Sequence, residues 1–255
     1  MSGALTFDRY LELIGQAGAS LVERAESAGW DAPVSTCPGW CVADLVAHQG
    51  MIHRWARANL LDIEAPFDRE VDVLAAVDVE VLASWFRSGV DLLLDALRSV
   101  PADVPAMVFL ADAGPPRDFW ARRQAFETII HAVDALAAEL GRPPTADEVG
   151  LDREVALDGV DELLCGFVPR DRATLRSDDP YTLAVQPVDS DGGWRMLVSP
   201  GPIVTERVGF GGDATLTGTA AQLLLGLWNR GDEPTATGRP GVLDAWRTFQ
   251  RVTWS

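Results

Sequence analysis

Glu127 and His131 stand four residues apart in Trp120-Ala121-Arg122-Arg123-Gln124-Ala125-Phe126-Glu127-Thr128-Ile129-Ile130-His131. His48 closes an earlier segment, Cys37-Pro38-Gly39-Trp40-Cys41-Val42-Ala43-Asp44-Leu45-Val46-Ala47-His48. Both segments read as helices. A spacing of four puts Glu127 and His131 on one helix face, close enough to bind one ion, and a bundle can bring His48 to the same interior point. Two imidazoles and one carboxylate leave a coordination position open, as in catalytic rather than structural zinc sites. Such a metal lowers the pKa of a bound water or thiol, or polarises a carbonyl. The same spacing also occurs on helix surfaces that bind nothing, and a lone His48 equally fits a hydrogen-bonded core histidine.

The neighbouring residues have bland readings beside the chemical ones. His53, five residues after His48, lies about 140° around the helix, so both cannot easily reach one ion, and it reads as structural or as part of a second site. Asp44 and Asp134 could each orient a ligand imidazole, or serve as a helix cap or solvated charge. Cys37 and Cys41 straddle the start of the second helix, with Cys41 near its cap, and read as packing rather than ligation. Trp40, Trp55, Trp85 and Trp120 fit core packing of helices better than a substrate box.

Four helices must position these groups. The first runs from Phe7 to about Ala28, stopped by Gly29, and the second from about Cys41 to Leu60. The third spans about Asp78 to Val100, with a stripe of Val81, Leu82, Trp85, Phe86, Leu92, Leu93 and Leu97. The fourth runs from about Asp118 to Leu140, closed by Gly141. After Pro144 the pattern changes. One helix is expected from Thr145 to about Phe167, with Thr145 and Glu148 at capping-box spacing. Strands follow at Tyr181 to Gln186, Trp194 to Val198, Ile203 to Val208 and Ala214 to Thr217. Thr219 to Trp228 and Gly241 to about Arg251 read as helices. The expected fold class is mixed, α followed by α+β. Residues 1–143 would form a metal-binding four-helix bundle and residues 144–255 a smaller α+β domain.

Composition narrows the function. The chain has 255 residues and a net charge of −17. All 21 basic residues are arginine, which excludes a Schiff-base lysine and a Walker-type phosphate loop. Without a basic tract, nucleic acid and anionic membranes are poor partners. The start, Met1 to Thr6, shows no signal peptide, no apolar run is long enough to span a membrane, and three cysteines do not suggest a disulfide framework. A cytoplasmic protein, monomer or homodimer, is the expectation. Arginine without lysine, with abundant Ala, Gly and Asp, matches a GC-rich genome.

The stretch Thr36 to His48, followed by Trp120 to Asp134, resembles the N-terminal domain of the mycothiol-dependent maleylpyruvate isomerases, within the DinB-like thiol-dependent metalloenzyme superfamily. Gly218-Thr219-Ala220-Ala221-Gln222-Leu223-Leu224-Leu225-Gly226-Leu227-Trp228-Asn229-Arg230 is similar to the accompanying C-terminal domain, an α+β unit of sterol-carrier type. The resemblance implies His48, Glu127 and His131 as metal ligands, zinc as the metal, and mycothiol, an actinobacterial thiol, as cosubstrate. An N,N,O site also accepts nickel, cobalt or iron(II). Two residues depart from the pattern: Cys41 where the family has Ser or Thr, and Gln49 where it has an apolar residue.

By that resemblance, a metal-stabilised thiolate adds to a cis double bond, rotation follows, and elimination returns the thiol. In an S-transferase the sulfur adduct is instead the product. An anionic substrate needs a cation: Arg122 and Arg123 adjoin the ligand helix turn. Arg230 is the catalytic candidate, because a site between two domains would draw on each. A surface position is the bland reading for all three. A non-catalytic metal-binding, regulatory or binding protein on the same fold is the alternative.

Overall fold

The computed structural model describes residues 5–208 and 210–250. The described residues divide into two compact units, one made of Thr6–Phe109 and Ala113–Pro144, the other of Leu5, Leu110–Asp112 and the described residues from Thr145 to Gln250.

The first unit is helical. Helix α1, Phe7–Ala28, starts where the Thr6 hydroxyl accepts the Arg9 amide and ends at Gly29, whose φ of 90° favours glycine. Helix α2, Val42–Leu61, starts at Cys41. Asp44 accepts from the Cys41 amide at 2.9 Å and from its thiol at 3.1 Å, so Asp44 braces the cap and does not orient His48. Short helix α3, Glu70–Ala76, precedes α4, Val79–Ser99. The α4 core face carries Leu82, Phe86, Val90, Leu93, Leu94 and Leu97, whereas Val81 and Leu92 are exposed, contrary to the expected stripe. Helix α5, Pro116–Leu140, begins with a proline in its first turn, where no amide is needed, and ends at left-handed Gly141. The main packings are α1 on α5 and α2 on α4.

Gly50 and Arg54 lock α2 to α4. Arg54 donates to Gly50 O at 2.9 Å and to Trp85 O at 2.7 Å, with its guanidinium 3.6 Å from the Trp85 ring centroid. A Cβ on Gly50 would lie 2.3 Å from Trp85 Cζ3. Gly→Ala inside a helix normally stabilises by about 1 kcal/mol. Here the sign reverses: overpacking costs about 1–3 kcal/mol, so Gly50→Ala lowers the chemical-denaturation midpoint. A midpoint equal to or above wild type would contradict this packing.

The second unit does not contain the single helix expected from Thr145 to Phe167. The Thr145–Glu148 capping box forms, but Gly150, at φ 66°, ends α6, Ala146–Val149, after one turn. The chain restarts as α7, Arg153–Asp161, and widens into a π-helical turn, Glu162–Phe167. A five-stranded sheet follows in the order β3-β2-β1-β4-β5. Its strands are β1 Tyr181–Pro187, β2 Gly193–Val198, β3 Val204–Val208, β4 Ala214–Gly218 and β5 Thr235–Gly238. The β1–β4 pair is parallel, with Val185 opposite Leu216, and the others are antiparallel. Leu183, Val185, Met196, Val198 and Leu216 form the buried face. Helix α8, Ala220–Leu227, packs on α7, β4 and β1. The last helix, α9, is Val242–Phe249; Arg251, to which it was expected to run, lies outside the described residues. The fold class is therefore the expected one, a helical part followed by a smaller mixed sheet with helices. Among the described residues, no helix is long and apolar enough to cross a membrane.

Candidate metal centre

Helix α5 carries Arg123, Glu127, His131 and Asp134 at intervals of about one turn, all buried. Each meets the next. Arg123 Nη2 donates to Glu127 Oε2 at 2.5 Å, Glu127 Oε1 lies 3.4 Å from His131 Nε2, and His131 Nδ1 donates to Asp134 Oδ2 at 2.9 Å. Helix α2 brings His48 edge-on to His131, with ring centroids 5.3 Å apart. One donor atom each from His48, Glu127 and His131 falls within 4.8 Å of the others. The three residues singled out by spacing are thus brought together.

Their electrostatics suit a cation. His48 is only 4% exposed, yet neither of its nitrogens has a hydrogen-bond partner, and Glu127 Oε1 has none. Buried polar atoms are rarely left so, because desolvation goes uncompensated. A metal ion held by one His48 nitrogen and Glu127 Oε1, with His131 beside them, would compensate both side chains, which is the fit expected of an N,N,O site. Burial first, then the His131 charge, pushes His48 down to about 4, so its imidazole is neutral, with one nitrogen lone pair available to an ion. Burial alone would raise the Glu127 carboxyl. The Arg123 guanidinium and the imidazoles of His131 and His48 outweigh it and hold the group well below the usual carboxylate range. For His131, burial pulls down, but Asp134 and Glu127 together push it up to about 9. The metal-free site therefore keeps a proton on His131.

Asp134 Oδ1 also accepts from Thr36 Oγ1 at 2.6 Å, and Oδ2 from Cys37 Sγ at 3.3 Å. Cys37, His131 and Asp134 form a second metal-capable group. These hydrogen bonds make it a brace between α5 and the loop before α2. Gly39, at φ 92°, turns that loop so that Trp40 lies 4.8 Å from His48 and 6.3 Å from His131, ring centroid to ring centroid. Trp40 is half-buried and walls the two imidazoles, which corrects its reading as plain core. Trp120 is buried in an aromatic cluster with Trp55, Phe109 and Phe119, as core packing predicts.

Arg123 is 1% exposed and pairs with Glu127, so it is neither a surface arginine nor placed for substrate. Only the sum of the two helix spacings, Arg-x-x-x-Glu-x-x-x-His, could have signalled it. Arg122 is half-buried beside it. Gln49 is buried and bonds His53 and Thr128, and Thr128 Oγ1 donates to Gln124 O. His53 is pushed down to about 3 by burial and the Arg54 charge, a neutral core histidine as expected. Arg230 lies in the second unit just after α8, its Nη1 donating to Trp228 O at 2.9 Å.

Two family models match the chain. The mycothiol maleylpyruvate isomerase N-terminal domain covers residues 11–136, and the MDMPI C-terminal domain, of the same family, covers 154–248. Among solved structures, the chain is similar to that of the mycothiol-dependent maleylpyruvate isomerase, at 16% identity and a TM-score of 0.59. The match covers 91% of this chain and 93% of that one. A histidine-to-alanine mutant of that enzyme matches over the same shares at 16% identity and a TM-score of 0.60. At this identity the likeness is one of fold. A comparison with curated protein sequences gives no match.

Proposed function

The chain belongs to the mycothiol maleylpyruvate isomerase family, and from that premise we propose that it is a zinc-dependent enzyme using mycothiol to isomerise a maleylpyruvate-like acid. The observation that carries the metal part is the cluster of His48, Glu127 and His131, in which the buried His48 nitrogens and Glu127 Oε1 make no hydrogen bond. Zinc held by these three would keep a thiol in its nucleophilic thiolate form at neutral pH. The chain's own residues do the rest of the arranging. Asp134 fixes the His131 tautomer, so that Nε2 is the nitrogen turned toward Glu127. Trp40 covers the imidazole faces and keeps water from them. Arg230 is proposed to hold the anionic end of the substrate.

The test is cis–trans isomerisation of maleylpyruvate by the purified full-length chain, with mycothiol and zinc each present or omitted. Turnover is expected only with both, lost on chelation and restored by zinc. Mycothiol recovered unchanged marks an isomerase, and mycothiol consumed mole for mole marks an S-transferase. No thiol-dependent reaction on maleylpyruvate or on a panel of electrophiles, with zinc bound, would sink the thiol-enzyme reading in favour of a binding protein.

A further inference from the structure

We propose that Arg123 is a positioning residue that fixes Glu127 for metal ligation through a single oxygen. The inference rests on the metal-centre reading above. A glutamate can ligate through one oxygen or both, or turn away about its side-chain torsions. Here Oε2 is committed to Arg123 Nη2 at 2.5 Å, in a pair where both side chains are almost fully buried. Oε1 makes no hydrogen bond and is the oxygen turned toward the His131 imidazole. The pair thus divides the carboxylate, with one oxygen for the protein and one for the ion.

Stability is a weak explanation for such a pair. Arginine is almost never fully buried unless paired, and burying both charges costs about what their attraction returns. Surface pairs at this helical spacing are common, but Arg123 is not on the surface. An arginine held beneath a ligand carboxylate instead does what hydrogen-bonding partners of metal ligands do: it orients the donor and tunes it.

The test is zinc affinity by competition with a chromophoric chelator, for wild type, Arg123→Met, Arg123→Lys, Glu127→Gln and the Arg123→Met/Glu127→Gln double variant. Arg123→Met is expected to weaken zinc binding about 10- to 100-fold, and to alter the visible spectrum of the cobalt-substituted protein. Lysine restores one charged donor but not the planar fork, so Arg123→Lys recovers part of the loss. In the Glu127→Gln background, Arg123→Met changes affinity by no more than about twofold, because it acts through Glu127. Equal losses in both backgrounds, or both Arg123 variants folded and binding zinc like wild type, overturn the proposal. If Arg123→Met does not fold, Arg123→Lys decides: wild-type affinity with an unshifted cobalt spectrum overturns it. Wild type that takes up no zinc overturns the metal centre itself, a different result.

Discussion

As purified, His131→Ala and Glu127→Gln each carry roughly a tenth of a zinc or less, where wild type carries about one per chain, and their weakened sites fill only when zinc is supplied in excess. Thiol-dependent turnover falls with the metal. A metal centre supplies several kcal/mol of charge stabilisation, so the loss is about 10³-fold or more at 1.36 kcal/mol per decade. His53→Ala is the discriminating control, since His53 is as buried but bonded to Gln49 and Thr128. It lowers thermal stability and leaves zinc content unchanged. Metal analysis by plasma mass spectrometry separates the outcomes, and a wild-type zinc content in His131→Ala removes the triad from the argument. A proton balance follows as well. In the metal-free protein His131 is raised from 6.5 to about 9. Its charged form therefore stabilises the metal-free fold fully below about pH 6.5, and that contribution is lost as pH rises through about 9. Zinc must displace this proton, so loading at pH 7 releases about one proton per site. Calorimetry in two buffers of different ionisation enthalpy measures it.

What the sequence shows of this site follows from which contacts are local. His48, Glu127 and His131 are legible because two share a helix face and the third lies on a helix of clear period. Arg123 belongs to the same face, yet its burial depends on how α5 packs on α1 and α2, which its own helix does not encode. Trp40 is a loop residue, placed by the left-handed turn at Gly39 and the hydrogen bond from Val34 N to Trp40 O. Asp44 and Asp134 look alike as neighbours of ligand histidines, and only the path of the chain decides between them. Asp44 reaches back to its own helix start, and Asp134 reaches His131. In the second unit, the capping box at Thr145 is legible, but a lone Gly150 inside a helical pattern does not by itself show that the chain stops there and restarts after Asp152. Strand β5, fully exposed Thr-Ala-Thr-Gly, has no apolar alternation to reveal it. Its place is set by pairing with β4, with Ala214 opposite Gly238.

Asp134→Ala is expected to damage both fold and metal site, by separable amounts. The carboxylate is wholly buried and accepts from His131, Thr36 and Cys37, two of which lie on the loop that carries Trp40. In the metal-free protein its removal takes one of two carboxylates from the buried His131 imidazolium and leaves Glu127, so the loss stays at or below the about 3–5 kcal/mol of a fully broken buried charge pair. The thermal midpoint then drops about 2–4 °C for each kcal/mol in a chain of this size. With zinc bound, His131 is neutral and the drop is smaller. Zinc affinity itself falls about 10- to 100-fold, because the imidazole loses the partner that orients it. Asp134→Asn separates charge from shape. Its remaining oxygen can serve His131 or Thr36 but not both, so affinity lies between those of wild type and alanine. Melting curves with and without zinc, beside chelator competition, read all of this. A lowered midpoint with wild-type zinc affinity would make Asp134 an anchor for the Trp40 loop, with no hold on the metal.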